Sequence, residues 1–253
     1  MYIDPESRFK IDNTNSSLMT FILGARCKDG VVLISDKKVT LDYGSDFDFR
    51  EKLFGDLRHV IIGASGSSDT FEYFRGYIMD YVNTNRNNRK AIRYDNIITK
   101  LSQIVYDTNK RHKFQSESNF QLLVAVGFEN KKSCLTYISV YGWPRSIDGC
   151  IAIGSGQHYA KIFLKHIWKQ DMTMKRVAEI GHFAIKYIEQ FALDQTVGVD
   201  GKEPQIWFIK DRHDDKLATK QFLTKLEMNT DTRLKIHREH LDNLFNPATI
   251  NTT

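Results

Sequence analysis

The sequence predicts an α+β protein, because apolar residues with strand period and with helical period come in separate runs. Strands come first, followed by two helices, more strands, two further helices and a final strand. Helices that arrive in pairs suit two sheets stacked face to face, with one helix pair covering each sheet. Because no internal repeat or low-complexity linker interrupts this order, we expect a single domain over residues 20–253.

The first predicted element is a hairpin over about residues 19–43, where two apolar runs flank Lys28-Asp29-Gly30. An Asp-Gly pair between apolar runs is a strong hairpin signal. A three-residue loop places Thr20 and Asp36 on the same face, whereas a two-residue loop places them on opposite faces, because side chains alternate along a strand. The hairpin therefore presents a hydroxyl and a carboxylate together in only the first register.

The remaining elements follow from apolar periodicity and from turn residues. Residues 44–49 are predicted to form a loop, and Thr173 is a good N-cap for the fourth helix. The predicted strands cover 51–57, 58–64, 120–128, 133–141, 150–153 and 205–209. The predicted helices cover about 68–84, 94–110, 159–168, 174–191 and, at the C-terminus, 225–246.

The composition is that of an ordinary globular protein, with 41% apolar and 26% charged residues among 253 and a net charge of +5. Three cysteines, Cys27, Cys134 and Cys150, are too few for a disulfide framework and indicate a reducing, cytoplasmic compartment. No apolar run reaches the length of a membrane span. The densest basic cluster, residues 110–113, is interpreted as a solvated helix end. Neither a membrane nor a nucleic acid is therefore an expected partner.

A combination of residues in and beyond the first hairpin carries a resemblance to a known family. These residues are Thr20, Gly24, Asp29-Gly30, Asp36, Lys52, Gly154-Ser155-Gly156 and Asp194. The spacing from Thr20 through Asp36 to Lys52 matches the pattern of this family without a gap in the alignment. The combination resembles proteasome β-type subunits, which are N-terminal nucleophile hydrolases, and covers residues 20 to about 211. It implies a four-layer αββα sandwich and a threonine-type endopeptidase without a cofactor.

The resemblance implies that Thr20 is the nucleophile and becomes the first residue of the mature chain. A threonine hydroxyl needs a base, and the α-amine, with an ordinary pKa of about 8, can take its proton. Lys52 would place an ammonium nearby, which lowers the pKa of both groups. Asp36 would hold Lys52 charged and oriented. The alternative is an ordinary surface ion pair between Asp36 and Lys52, which the ungapped spacing disfavours.

Two distal residues have supporting roles in the family. By resemblance, Ser155 bonds the amine of Thr20 and Asp194 positions Ser155. The family has Ser or Thr shortly after this Asp, but Val197 stands at the commonest offset here, with Thr196 beside it. The alternative for residues 154–156 is a plain loop at a helix N-terminus.

The oxyanion donor and the substrate pocket are also assigned by resemblance. A backbone N–H of Ser65, or of Gly66 if the alignment has a one-residue gap, would face the oxyanion in a small-residue turn over 64–69. The alternative for this stretch is a helix-capping turn. The residues aligned with the substrate pocket are Val39, either Gly63 or Ala64, and Arg50. Uncharged, small lining residues predict cleavage after large apolar side chains, unless Arg50 at the rim selects acidic ones.

Residues 1–19 are interpreted as a leader, a pro-segment or a mis-called start. Met19 stands where most of the family has Gly, and Phe21 replaces a small or hydroxyl residue. If translation starts at Met19, removal of the methionine exposes Thr20. If the leader is retained, the amine stays blocked and the chain is a catalytically silent structural subunit. A third alternative is an N-terminal nucleophile amidase acting on small substrates.

The expected partners are a polypeptide substrate and the other subunits of a proteasome-like ring, in a homo- or hetero-oligomer. The resemblance also allows an ATP-dependent unfoldase as a partner. We expect Phe71, Phe74 and Tyr81 to lie on a helix face available to neighbouring subunits. His237 and His240, on a charged helix, are interpreted as solvated rather than as metal ligands.

Overall fold

A computed structural model describes residues 17–18, 20–41, 46–56, 60–87, 94–111, 120–128, 132–191, 197–200 and 203–211. The strands are β1 (Ser17–Leu18), β2 (Ile22–Cys27), β3 (Gly30–Ser35), β4 (Lys38–Leu41), β5 (Asp46–Phe49), β6 (Leu53–Asp56), β7 (Val60–Ser67), β8 (Gln121–Val126), β9 (Cys134–Ile138), β10 (Pro144–Ser146), β11 (Cys150–Ile153) and β12 (Gln205–Lys210). The helices are α1 (Ser68–Asn87), α2 (Tyr94–Arg111), α3 (Gln157–Ile167) and α4 (Met174–Gln190). None of these four helices is long and apolar enough to cross a membrane.

The first sheet has the order β11-β2-β3-β12 and is built around the predicted hairpin. Cys27 pairs with Gly30, so the turn has two residues and the three-residue register is wrong. The Asp29 carboxylate in this turn accepts a hydrogen bond of 2.8 Å from the backbone N–H of Met174, the first residue of α4. Since a helix N-terminus favours a negative charge, this contact ties the hairpin turn to α4.

The second sheet has the order β1-β7-β8-β9-β10, and β6 also pairs with β7. Strands β4 and β5 form a separate two-stranded sheet. The predicted loop over 44–49 is wrong for Asp46–Phe49, where alternating Asp and Phe have the period of a strand. Strand β10 was not predicted, and it starts with a proline, which edge strands tolerate.

Three hydrophobic clusters separate four layers and confirm the predicted αββα sandwich. The first cluster packs α1 and α2 against the second sheet, and the second packs α3 and α4 against the first sheet. The third lies between the sheets, with Ile22 and Leu33 from one sheet and Ile61 and Leu123 from the other. The two sheets therefore share one apolar interface, and each is covered by a helix pair on its outer face.

The helix face expected to meet neighbouring subunits is instead part of this core. Phe71 and Phe74 are 2% and 1% exposed and belong to the cluster beneath α1 and α2, with Tyr81 packed against it. The helical period identifies an apolar face, but it does not tell whether that face meets the chain's own sheet or another subunit. The prediction that these residues are available to neighbours is therefore wrong for Phe71 and Phe74.

The predicted N-cap of α4 is confirmed, because Thr173 Oγ1 accepts a 3.2 Å hydrogen bond from the backbone N–H of Arg176. The predicted C-terminal helix over 225–246, with His237 and His240, lies outside the described residues. Most of the predicted leader over 1–19 lies outside them too. Its residues Ser17 and Leu18 are described and form β1.

Candidate active site

Asp36 and Lys52 form a buried ion pair where the two sheets meet. Asp36 directly follows β3 of the first sheet, and Lys52 directly precedes β6, which pairs with the second sheet. The Lys52 Nζ lies 2.7 Å from Asp36 Oδ1, and the two side chains are 1% and 0% exposed. The alternative of a surface ion pair is therefore wrong. Removing one partner of a buried pair leaves the other charge buried and uncompensated, so each residue needs the other for the stability of the fold.

The Asp36 carboxylate is surrounded by hydrogen-bond donors. Besides Lys52, its Oδ1 accepts a 2.8 Å bond from the backbone N–H of Phe21, and its Oδ2 accepts a 3.3 Å bond from that of Gly198. Burial raises the pKa of the Asp36 carboxyl above its ordinary value, while the Lys52 ammonium and these hydrogen bonds oppose the shift. Because Oδ1 joins Lys52 to the residue after Thr20, the carboxylate places the ammonium beside the hairpin's first residues.

Thr20 lies two residues before β2 and is fully buried. Its Oγ1 is buried without a hydrogen-bond partner among the described residues. Leaving a buried hydroxyl unsatisfied costs about 1–3 kcal/mol. The two-residue turn places Thr20 and Asp36 on opposite faces by strict alternation. Asp36 still reaches the hairpin's start through the amide of Phe21 rather than through the Thr20 side chain.

The loop at 154–156 closes over the backbone of Thr20. The N–H of Gly156 donates to the Thr20 carbonyl at 3.3 Å, and Ser155 Oγ donates to the same oxygen at 3.5 Å. Gly154 has φ +91°, and a Cβ at this position would overlap that carbonyl oxygen. Only glycine suits this position, because it alone tolerates both the left-handed backbone and the close approach. Asp194, expected to position Ser155, lies outside the described residues, as does Thr196.

The stretch aligned with the oxyanion donor is the end of a strand rather than a turn. Ser65 and Gly66 belong to β7, and α1 follows at Ser68 without an intervening loop. Ser65 pairs with Gln121 of β8, whereas Gly66 pairs with Leu18 of β1. The backbone of Ser17 and Leu18, in the predicted leader, therefore lies along the end of β7, and β1 also contacts β4.

The residues expected to line the substrate pocket lie at different depths. Val39 and Ala64 are both 0% exposed and belong to the cluster between α1, α2 and the second sheet. Gly63 faces the interface between the sheets, where an added Cβ would meet Ile22 Cγ2 at 2.9 Å. Arg50 is half-buried, and its backbone N–H donates to the Lys37 carbonyl at 2.8 Å. The structure brings Val39 and Ala64 into one cluster and does not bring Gly63 to it.

Gln205 is a residue of this region that sequence reasoning missed. Its side-chain Oε1 accepts from the backbone N–H groups of Lys52 and Leu53, at 2.6 and 3.0 Å. It also accepts a 3.2 Å hydrogen bond from Ser35 Oγ. Gln205 lies in a strand predicted for its apolar residues, and a polar residue at the start of such a strand is ordinarily exposed. No local signal in the sequence pointed to its burial.

Comparison with known proteins adds four findings. A family model described as Proteasome subunit matches residues 19–197. Proteasome subunit beta type-4 of Arabidopsis thaliana is 30% identical over 161 residues, which are 62% of this chain and 62% of that protein. Proteasome subunit beta 1 of Pyrobaculum aerophilum is 26% identical over 170 residues, 66% of this chain and 81% of that one. Among solved structures, the Anbu (Gly-1) mutant from Hyphomicrobium sp. strain MC1 is similar with a TM-score of 0.66 at 14% identity, over 87% of this chain and 96% of that chain. At this identity the structural likeness supports the fold alone.

Proposed function

Because the chain belongs to the proteasome subunit family, we propose that it is a threonine-type endopeptidase with Thr20 as nucleophile. Peptide hydrolysis is the general activity of proteasome β subunits, and the family suggests assembly into rings with other subunits. One observation carries the assignment to this site. Asp36 Oδ1 accepts from both the Lys52 ammonium and the amide of Phe21, so a buried positive charge lies close to Thr20.

In the proposed reaction the free α-amine of Thr20 takes the proton from Oγ1 while this oxygen attacks the substrate's carbonyl carbon. The carbonyl oxygen becomes an oxyanion, which a backbone N–H of Ser65 or Gly66 stabilises. The amine returns its proton to the leaving nitrogen, and the peptide bond breaks. Water, activated by the same amine, then hydrolyses the ester and restores Thr20. The positive charge of Lys52 favours the neutral amine and the developing alkoxide.

The predicted leader supports a second candidate function, that of a catalytically silent structural subunit. While residues 1–19 are attached, the Thr20 nitrogen is an amide and has no basic lone pair. Ser17 and Leu18 pair with Ser67 and Gly66, so the leader's backbone occupies the β7 edge that an extended peptide substrate would need. A chain that keeps this leader would be a silent structural subunit of the ring.

The N-terminus of the native protein distinguishes the active endopeptidase from the silent structural subunit. Intact-mass spectrometry of the native protein should find a chain that starts at Thr20, and this chain should cleave fluorogenic peptides. The control is Thr20→Ala, which has the same N-terminal position but no hydroxyl. A native chain that starts at Met1 and cleaves no peptide would favour the silent subunit.

We further propose that the substrate pocket accepts large apolar side chains before the scissile bond. Val39 and Ala64, the residues aligned with this pocket, are uncharged and fully buried in the cluster beneath α1 and α2, and burying an unpaired charge beside them would cost several kcal/mol. Profiling a peptide library with the chain that starts at Thr20 should show cleavage after Leu, Phe or Tyr rather than after Asp or Glu. A preference for acidic residues would assign the pocket to Arg50 instead.

A further inference from the structure

Gln205 connects the two strand ends that carry the buried ion pair. Its backbone pairs with Ser35, the residue before Asp36, across β12 and β3 of the first sheet. Its side chain crosses to the start of β6 and accepts from the N–H groups of Lys52 and Leu53. One residue, 6% exposed, therefore contacts both the strand before Asp36 and the backbone of Lys52.

The orientation of the Gln205 amide follows from these contacts. Two backbone N–H groups point at one side-chain atom, which must be the oxygen because both are donors. The Nε2 on the other side lies 3.4 Å from the Leu53 carbonyl oxygen, to which it donates. An amide suits this place, because it offers an acceptor to the two backbone N–H groups and a donor to the Leu53 carbonyl, whereas a carboxylate has no donor.

The position of the Lys52 main chain decides where its ammonium lies. The Lys52 N–H donates to Gln205, its carbonyl accepts a 3.4 Å bond from Ala64, and its Nζ donates to Asp36 Oδ1 and to the Lys38 carbonyl at 2.7 and 2.5 Å. A buried side chain held at both ends cannot swing to compensate for a backbone shift. Displacement at the N–H would therefore move the ammonium relative to Asp36.

We propose that Gln205 is a positioning residue for Lys52: it sets the distance between the Lys52 ammonium and the Asp36 carboxylate by clamping the start of β6 to the first sheet. The catalytic consequence rests on the proposed function of Thr20, Asp36 and Lys52. The positioning of Lys52 by Gln205 does not rest on that function, because it concerns only where the Lys52 ammonium lies.

The test compares Gln205→Met with a matched control, Thr136→Val. Methionine has a similar volume to glutamine but cannot accept the two backbone N–H bonds. Thr136→Val removes another buried side-chain hydrogen bond, to Tyr94 at 2.5 Å, in β9 and away from Lys52. The first readout is the pKa of Asp36 in the full chain, from carbon-13 NMR of its carboxyl. The second is the split of kcat and KM for peptide hydrolysis by the chain that starts at Thr20.

We expect Gln205→Met to raise the Asp36 pKa further, because a displaced ammonium lowers it less, and to reduce kcat about a hundredfold with KM unchanged. Thr136→Val should change neither. If Gln205→Met matches the control in both readouts, Gln205 is only structural and the inference is overturned. If Gln205→Met does not fold, Gln205→Asn, which is one methylene shorter, is measured in the same way.

Failure of the proposed function would look different. If the wild-type chain that starts at Thr20 cleaves no peptide, the endopeptidase proposal fails and the Asp36 pKa decides the inference alone. A further rise of this pKa in Gln205→Met then supports the clamp, and an unchanged pKa overturns it.

Discussion

At the scale of single residues, the ion pair of Asp36 and Lys52 combines a large energetic cost with a specific placement. Both side chains are buried, so their attraction must offset the desolvation of two charges. Asp36 also satisfies the amides of Phe21 and Gly198, which tie the pair to the hairpin and to the segment before β12. Stability and the proposed chemistry therefore depend on the same two residues, and variants must be chosen to separate them.

Lys52→Ala should lower the free energy of unfolding by about 3–5 kcal/mol, because it leaves the Asp36 carboxylate buried without its partner. The double variant Asp36→Asn with Lys52→Met removes both charges at nearly constant volume and should be more stable than Lys52→Ala. Both should lack peptidase activity. Urea unfolding and a peptide assay measure the two properties, and a Lys52→Ala protein as stable as the wild type would contradict the buried pair.

The activity should fall on acidification at a pH where the fold persists. Burial raises the pKa of Asp36 above 3.8, so the folded chain binds this proton more tightly than the unfolded chain. Between the pKa of Asp36 in the unfolded chain and its higher pKa in the folded chain, lowering the pH therefore increases this group's contribution to the free energy of unfolding. The protonated carboxyl can no longer balance the Lys52 charge. The pH profile of kcat, compared with circular dichroism over the same range, tests this order; simultaneous loss of both signals would refute it.

At the scale of elements, the contact between the 154–156 loop and the start of β2 fixes Thr20. This loop follows β11, which pairs with β2, so the strand that follows Thr20 and the loop that closes over it are joined within the same sheet. The carbonyl of Thr20 is held by Gly156 and Ser155, while its side-chain hydroxyl lacks a partner among the described residues. The backbone is thus held in place without engaging the hydroxyl proposed to react.

Gly154→Ala should destabilise the protein by more than about 1–2 kcal/mol, the cost of a left-handed residue alone, because the new Cβ would also overlap the Thr20 carbonyl. Gly76→Ala is the matched control. Gly76 lies in α1 with open space around an added Cβ, so alanine should stabilise the helix by about 0.5–1 kcal/mol. Thermal unfolding of both variants distinguishes them, and equal melting temperatures would show that the loop can move away from Thr20.

At the scale of the whole molecule, the four layers leave the catalytic candidates at the junction of two sheets. Thr20 precedes β2 and Asp36 follows β3 of the first sheet, and Lys52 precedes β6, which pairs with the second sheet. Each sheet is covered by its own helix pair, so the α1 face that contains Phe71 and Phe74 is used within the chain. In an oligomer, contacts between subunits would therefore use other surfaces than this α1 face.

We predict that the protein assembles beyond a single chain of 29.4 kDa. A ring would hide Thr20 from folded proteins, and members of this family are suggested to form rings. Analytical ultracentrifugation at micromolar concentration should give a mass several times that of one chain. The Thr20→Ala variant should assemble equally well, since it changes the hydroxyl and not a contact surface. A purely monomeric wild type would count against a ring.

The sequence by itself determined the α+β class, the helix pairs, the first hairpin and the spacing of Thr20, Asp36 and Lys52, because each depends on local period or on a count along the chain. Only the tertiary structure decided the two-residue turn, the burial of the ion pair and the burial of Phe71 and Phe74. Gln205 makes the same point most clearly, since it contacts a residue 153 positions away. The hydrophobic period shows which residues share a face of an element. Packing between distant segments decides which other element covers that face, and therefore which polar or charged groups its residues meet.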